Sequence, residues 1–448
     1  MNKFENDLAQ GSVLKKLILF ALPFLASNII QSLYNVADML IVGNFSGTES
    51  MSGVNIGGQV TLIVTNIIIG LCAGGTVIIA QSIGAKDKKT TKETTSTLIT
   101  LLTILGIALT VIMILFKNPF LHMIKTPQES FQEASNYLVV TSLGILFIFG
   151  YNALSGILRG MGDSKRPFYF VLIACVTNIV LDLILVAGFN MGARGAAIAT
   201  VVSQALSMFL CIFYLKKNNF IFDFKPKSFR IQKQRLKQII KIGLPTAVQN
   251  GVVALSFLII TALVNEIGVN ASAAVGVVGK FNGFAIMPAI AMGNSISTMA
   301  AQNIGAGEWK RAKKSCHIGM AIAAAITFSI FFLAQAFAGE IIAMFDSEKE
   351  VIESGIVYMR TFSFDYLIVP FVFCFNGLFI GAGHTTFSLI NSLMSSLLLR
   401  VPAAILFGKI LDLGLSGIGL GAPVASMGSL LVILFFYFSK RWMKNVAS

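Results

Sequence analysis

Blocks of apolar residues separated by short polar interruptions run the length of the chain, near 14–43, 52–83, 93–116, 133–158, 167–189, 193–215, 238–266, 271–304, 314–338, 351–381, 385–408 and 417–439. Each is long enough to supply the roughly 20 apolar residues that a helix needs to cross a bilayer. The pattern predicts an all-α integral membrane protein with twelve transmembrane helices. Lys15 and Lys16 precede the first block. That block runs far beyond the short apolar core of a cleavable signal and lacks a small-residue cleavage pattern, so it is expected to stay attached as a helix.

Composition agrees with the pattern. Of 448 residues, 55% are hydrophobic and only 12% charged, and the mean hydropathy is +0.80. Soluble domains carry about 25% charged residues, which excludes soluble enzymes, DNA-binding domains and disordered scaffolds. The formal charge of +14 would point to nucleic acid in a soluble protein. Here the basic residues sit between apolar blocks and read as orientation signals. Twenty-six fall at the termini (Lys3 among them) or in the even-numbered loops, against five on the other side. The positive-inside rule then places both termini in the cytoplasm, as for a multi-pass protein of a bacterial-type inner membrane.

The same punctuation occurs twice, at an offset of 221 to 222 residues. Leu22-Pro23 with Asn28 returns as Leu244-Pro245 with Asn250, and Ala80-Gln81-Ser82-Ile83-Gly84-Ala85 returns as Ala301-Gln302-Asn303-Ile304-Gly305-Ala306. Gly156, Gly160 and Gly162 match Gly377, Gly381 and Gly383, while Gly192 and Gly195 match Gly414 and Gly417. Four matches in one order argue for duplication. Six spans per half give both halves the same polarity, hence two parallel six-helix lobes related by a pseudo-two-fold axis along the membrane normal. The expected division is an N-terminal lobe over 1–215, a polar, basic, cytoplasmic linker over 216–237 and a C-terminal lobe over 238–448. Such repeats enclose a site near the midplane that opens to alternate sides by rocking, which is a transporter's geometry.

Polar groups in hydrocarbon are costly and mark functional candidates. Asn28, Gln31, Asn35 and Asp38 share one face of the first helix. Asn178 and Asp182 form an i, i+4 pair on the fifth, and Thr200 adds a hydroxyl from the sixth. The counterparts of Gln31, Asn35 and Asp38 in the second half are Val253, Phe257 and Ile260, so the carboxylate pair belongs to the first half alone. Carboxylates with amide and hydroxyl oxygens suit a proton or a small hard cation such as Na⁺; the same groups also serve as hydrogen-bonded glue between helices. Lys280 and Asp365 in the second half read either as a buried ion pair or as groups facing the substrate path. Arg360 and Arg400 read as snorkelling residues near an interface. Pro23, Pro245, Pro288, Pro370, Pro402 and Pro423 fall inside spans, where they permit bends. Pro23, upstream of Asp38 on one helix, is the hinge candidate. A minority of the Phe and Met residues facing a cavity would accommodate varied hydrophobic ligands and organic cations.

The five cysteines lie in or beside apolar blocks without CxxC spacing, and only Cys316 has a neighbouring histidine, His317. They read as buried small residues, not as disulfides or zinc ligands.

Leu33-Tyr34-Asn35-Val36-Ala37-Asp38 with Val42-Gly43, the paired Ala-Gln-x-Ile-Gly-Ala segments, Arg159-Gly160-Met161-Gly162-Asp163 and Gly195-Ala196-Ala197-x-Ala199-Thr200 resemble the multidrug and toxic compound extrusion (MATE) transporters over essentially the whole chain. Asp38, Asn178, Asp182 and Thr200 look like the cation-coupling residues of the DinF-like branch. The resemblance implies a cation-coupled antiporter exporting drugs and other organic compounds, with H⁺ favoured over Na⁺ and no cofactor beyond that ion. The chain departs from the NorM-like pattern, which has a seventh-helix glutamate where Val253 stands and an acidic residue about one turn from Asp365.

The expected function is multidrug efflux by antiport and alternating access. Its expected partners are small amphipathic or cationic organic compounds and membrane lipid, with no nucleic acid, in a monomer. The rival is a flippase for lipid-linked saccharides or lipids from the wider superfamily, which would favour a strongly cationic cavity. A membrane-embedded enzyme would need clustered His, Cys or a Ser–Lys pair, and none is present. ATP-driven transport lacks its GxxxxGK[ST] motif.

Overall fold

The computed structural model describes residues 4–444; Lys3, counted above among the cytoplasmic basic residues, lies outside them. Every regular element among the described residues is helical. The order is α1 (Val13–Gly84), α2 (Lys88–Leu115), α3 (Lys117–Met123), α4 (Gln128–Gly160), α5 (Lys165–Asp182), α6 (Gly192–Lys217), α7 (Lys233–Asn265), α8 (Val269–Ala285), α9 (Met287–Gly305), α10 (Trp309–Ala336), α11 (Ala338–Ala343), α12 (Lys349–Phe362), α13 (Val369–Gly381), α14 (Thr385–Leu393), α15 (Val401–Ile405) and α16 (Gly414–Phe438).

At a rise of 1.5 Å per residue, the 72 residues of α1 would extend about 108 Å, over three times the hydrocarbon thickness. The run is interrupted at Gly47, whose φ of 78° and ψ of −179° are non-helical. A positive φ is one that glycine adopts without steric cost. The arms on either side, 13–46 and 48–84, are the first two expected spans. Among the described residues ten helical runs are long and apolar enough to span, Val269–Gly305 and Thr385–Ile410 each counted as one, and the pair α12 and α13, bent by 41°, makes an eleventh; counting α1 twice gives the expected twelve.

Several expected spans are less regular than their apolar blocks. The block 271–304 is two helices, α8 and α9, and the block 351–381 is α12 and α13 joined by a 3₁₀ turn, Ser363–Leu367. Pro288 and Pro370 stand in the first turn of α9 and α13, where the missing N–H costs nothing, whereas Pro402 follows the π-helical turn Met394–Arg400 within the continuous helical run Thr385–Ile410. Pro23, Pro245 and Pro423 are internal to their helices. The short helices α3 and α11, absent from the expectation, begin 221 residues apart and so belong to the repeat. π-helical turns at Leu183–Gly188 and Leu406–Ile410 end corresponding spans of the two halves.

Two compact units emerge. One comprises Leu22–Ala247 with the segment up to Asp7; the other comprises Leu8–Ala21 and Val248 onward. The basic connection over 216–237 lies wholly in the first unit and is fastened there. Ser96 Oγ donates to Ser228 O at 2.6 Å, Gln232 N–H donates to Thr97 Oγ1 at 3.1 Å, and Arg235 pairs with Glu93 at 3.1 Å. Phe222 is buried, in edge contact with Phe224 and Phe229. In the second unit the first residues are held likewise: Leu8 N–H donates to Gln302 Oε1 at 2.9 Å, and Arg311 donates to Gly11 O at 2.8 Å.

The repeated glycines are contact points between helices. In the first unit a Cβ on Gly160 would stand 2.8 Å from Thr76 O; in the second a Cβ on Gly377 would stand 2.1 Å from Gly293 O. Neither carbonyl can withdraw without moving its helix. Gly377→Ala is therefore expected to destabilise by about 1–3 kcal/mol or more through overpacking. Gly251→Ala, where a Cβ meets nothing within 4 Å, is expected to be neutral or to stabilise by up to about 1 kcal/mol through helix propensity. Thermal melts of the two variants in detergent check the contrast.

Candidate functional site

The first unit gathers the predicted polar residues from three helices. α1 supplies Tyr34 and Asp38, α5 supplies Asn178 and Asp182, and α6 supplies Thr200. Asp38, Asn178, Asp182 and Thr200 are all buried, Asn178 and Asp182 completely. The i, i+4 spacing on α5 closes as expected. With its amide oriented to satisfy both sides, Asn178 donates to Asp182 Oδ2 at 3.0 Å and accepts from the Thr200 backbone N–H at 3.2 Å. Tyr34 Oη donates to Thr200 Oγ1 at 3.4 Å. Asp182 is the last regular residue of α5, and the π-helical turn Leu183–Gly188 follows at once. Such turns shift the register of a helix face and are frequent at functional sites.

The carboxyl groups of Asp38 and Asp182 meet within hydrogen-bonding reach of each other. Two carboxylates so close in a low dielectric require a shared proton or a cation between them. One oxygen of each, Asp38 Oδ1 and Asp182 Oδ1, is buried without a partner. The four ion pairs among the described residues, Asp163–Arg166, Glu93–Arg235, Glu353–Lys349 and Glu266–Lys409, involve neither aspartate. The set is made of oxygens that suit a proton or Na⁺.

Beside this cluster Gln31, Tyr34, Tyr151, Cys175, Ser203 and Gln204 line a small cavity with room for about one water molecule. Gln31 and Asn35, on the same helix, are both exposed, and Gln31 lies on the wall of this cavity. Around Pro23 the α1 helix is continuous, and Ser27 Oγ donates to Pro23 O at 2.8 Å. Tyr34 went unread in the sequence although it precedes Asp38 by one turn; its apolar body masks a hydroxyl that becomes meaningful only beside α6.

In the second unit Lys280 and Asp365 do not pair. Lys280 is exposed, and among the described residues no ion pair includes it. Asp365 is buried in the 3₁₀ turn after α12, where its Oδ1 has no hydrogen-bond partner and none of the four ion pairs includes it. Arg400 corrects a second expectation. Instead of snorkelling, it is only 9% exposed and stacks its guanidinium over Phe257 at 4.0 Å. Arg360 is exposed, as a snorkelling residue would be. Four of the five cysteines are buried and all are free; Cys175 is the half-buried exception.

Comparison with known proteins follows the same division. The MatE family profile matches residues 23–184 and again 245–406, two stretches whose starts lie 222 residues apart. The chain is 31% identical over 436 residues to the "Probable multidrug resistance protein YpnP" of Bacillus subtilis (strain 168), covering 97% of each chain. It is 25% identical over 459 residues to the "Probable multidrug resistance protein NorM" of Thermotoga maritima, covering 99% of this chain and 96% of that one. A solved outward-facing conformation of a multidrug resistance MATE family transporter of the MOP superfamily matches with a TM-score of 0.93 at 24% identity, over 99% of each chain. A MOP superfamily transporter from Pyrococcus furiosus matches with a TM-score of 0.91 at 24% identity, over 98% of each. With a family profile covering most of both halves and a relative at 31% identity along the whole length, the chain belongs to the MatE family of multi-pass membrane transporters and is not an enzyme.

Proposed function

We propose that this transporter is a secondary antiporter that exports amphipathic, often cationic, organic compounds across the cytoplasmic membrane in exchange for H⁺ or Na⁺. The observation that carries the reading is the buried, mutually facing pair Asp38 and Asp182, with an orphaned oxygen on each and no ion pair to a basic residue. A carboxylate pair without an internal counter-charge must take its compensation from outside, and a cation that enters and leaves is what an antiporter requires. H⁺ is preferred. Asn178, Thr200 and Tyr34 orient the pair. The arrangement is in keeping with a DinF-like assignment, and relatives named for multidrug resistance support drugs and toxic organic molecules as cargo. The moving bodies of the cycle are the two lobes, 1–215 and 238–448, with 216–237 between them. The chain works as a monomer in lipid, both termini in the cytoplasm, with no cofactor. The carboxylates in the first lobe count against the saccharide or lipid flippase reading, which calls for a cationic cavity.

Export follows if the ion and the organic compound bias one two-state equilibrium in opposite directions, so that binding of one releases the other. Efflux of a fluorescent organic cation from proteoliposomes under imposed pH and Na⁺ gradients tests this. Asp38→Asn is expected to reduce gradient-driven efflux by roughly 5- to 150-fold, the range of typical coupling free energies. Full activity in Asp38→Asn and Asp182→Asn would end the proposal, and the effective gradient identifies the ion. Asn178→Leu removes the amide that bridges Asp182 to α6. Loss of a buried hydrogen bond to a charged group costs about 1.5–3 kcal/mol, so both the melting temperature and efflux should fall. As a hinge, Pro23 predicts slower transport in Pro23→Ala; an unchanged rate in that variant would assign the bending elsewhere.

A further inference from the structure

The first turns of α7 carry a stripe of lysines that the fold leaves facing outward. Lys233, Lys237 and Lys241 follow one another at i, i+4 and i+8, a spacing that stacks them along one helix face. All three are exposed, and so are Ile240 and Leu244 of the same face, at 40% and 51%. The opposite face is fixed against α1. Ile239, Ile242 and Gly243 are buried. A Cβ on Gly74 of α1 would stand 2.6 Å from Ile239 O, and one on Gly70 would stand 2.5 Å from the Ala247 backbone N. Seated that closely on α1, the helix cannot roll its lysines inward.

The charge of this stripe is left over after the internal pairs are made. Arg235, on the packed side, takes Glu93 at 3.1 Å and donates to Gln238 Oε1 at 3.0 Å. Neither Lys233 nor Lys237 enters any of the four ion pairs among the described residues. The three lysines, with Leu236 and Ile240, line an open groove of about 440 Å³. Just ahead of the helix Phe229 and Ile231 are 36% and 38% exposed. Apolar side chains left bare beside ammonium groups fit the boundary of a bilayer, where the apolar parts meet acyl chains and the charges reach the headgroups. Orientation signals account for the sign of the charge. They require neither a common face nor an aliphatic lining.

We propose that this groove is a binding site for an anionic phospholipid. Lys233, Lys237 and Lys241 hold the headgroup phosphate, and the first acyl methylenes lie against Ile240 and Leu244. Basic clusters directly beside a spanning helix attract anionic lipid, and α7 continues from these lysines into a helix of 33 residues. A lipid complements both the charge and the aliphatic lining, whereas free phosphate answers the lysines alone. The orientation proposed above puts the bound lipid in the cytoplasmic leaflet. The site itself does not depend on antiport, and its failure would leave that reading untouched.

The test uses full-length protein purified in detergent and titrated with phosphatidylglycerol, with phosphatidylcholine and inorganic phosphate as comparisons; native mass spectrometry counts the bound lipid. The unmodified protein should bind phosphatidylglycerol more tightly than phosphatidylcholine, and inorganic phosphate at equal concentration should not displace it. Replacing Lys233, Lys237 and Lys241 together by Gln should weaken that binding about 100-fold, equivalent to about 1 kcal/mol for each lysine, and replacing them together by Arg should retain it. Where the triple Gln variant does not accumulate, Lys237→Gln alone should cost about 5-fold on the same scale. Ile240→Ser should weaken binding with all three lysines in place. Lys88, Lys89 and Lys92, three exposed lysines of α2, serve as the control, and replacing them together by Gln should leave binding unchanged. The proposal is overturned if phosphatidylglycerol is not preferred over phosphatidylcholine, or if the α7 lysine variants bind it as the unmodified protein does. It is equally overturned if the α2 control loses as much, which would mean diffuse charge without a site, or if inorganic phosphate competes on equal terms, which would mean an anion site without a lipid.

Discussion

A pair of carboxyl groups facing each other inside a membrane-spanning lobe sets the terms for everything around it. Asp38 and Asp182 cannot both stay ionised in a low dielectric without a compensating cation, and no ion pair among the described residues supplies one. The surrounding groups are arranged as if to hold that demand in place without answering it. Asn178 ties Asp182 to the α6 backbone, Tyr34 ties α1 to Thr200, and one oxygen on each aspartate is left open.

Much of this was legible in the sequence, for physical reasons. A helix in hydrocarbon satisfies its own backbone, so an apolar block of sufficient length commits to a spanning helix with little competition. All twelve expected spans have helical counterparts. The spacing of Asn178 and Asp182 was equally readable, since a one-turn offset stacks two side chains whatever packs against them. Helix irregularity was not readable. The breaks in the blocks 271–304 and 351–381 and the π-helical turns leave composition unchanged, because they answer to packing from other helices. The short helices α3 and α11 sit at the ends of apolar blocks, where composition does not separate a spanning segment from an interfacial one.

Side-chain destinations divide in the same manner. Asp38 was legible because an isolated acid in an apolar block has few places to go. Arg400 misled for the complementary reason: a long basic side chain can reach an interface from well inside a span, so only the tertiary partners decide. Its partners are Phe257 on α7 and the close-packed α16, two segments far apart in the chain. Lys280, one block away and with the same charge, is exposed instead.

Duplication gives each lobe the same scaffold, including the short helices at an offset of 221 residues, the π-helical turns and the glycine contacts. What a scaffold of this kind leaves free is the chemistry of a few inward positions. At the slot shared by Asn178 and Arg400, the first repeat carries an amide bonded to Asp182 and the second a guanidinium stacked on Phe257, so one scaffold presents opposite chemistry at one position.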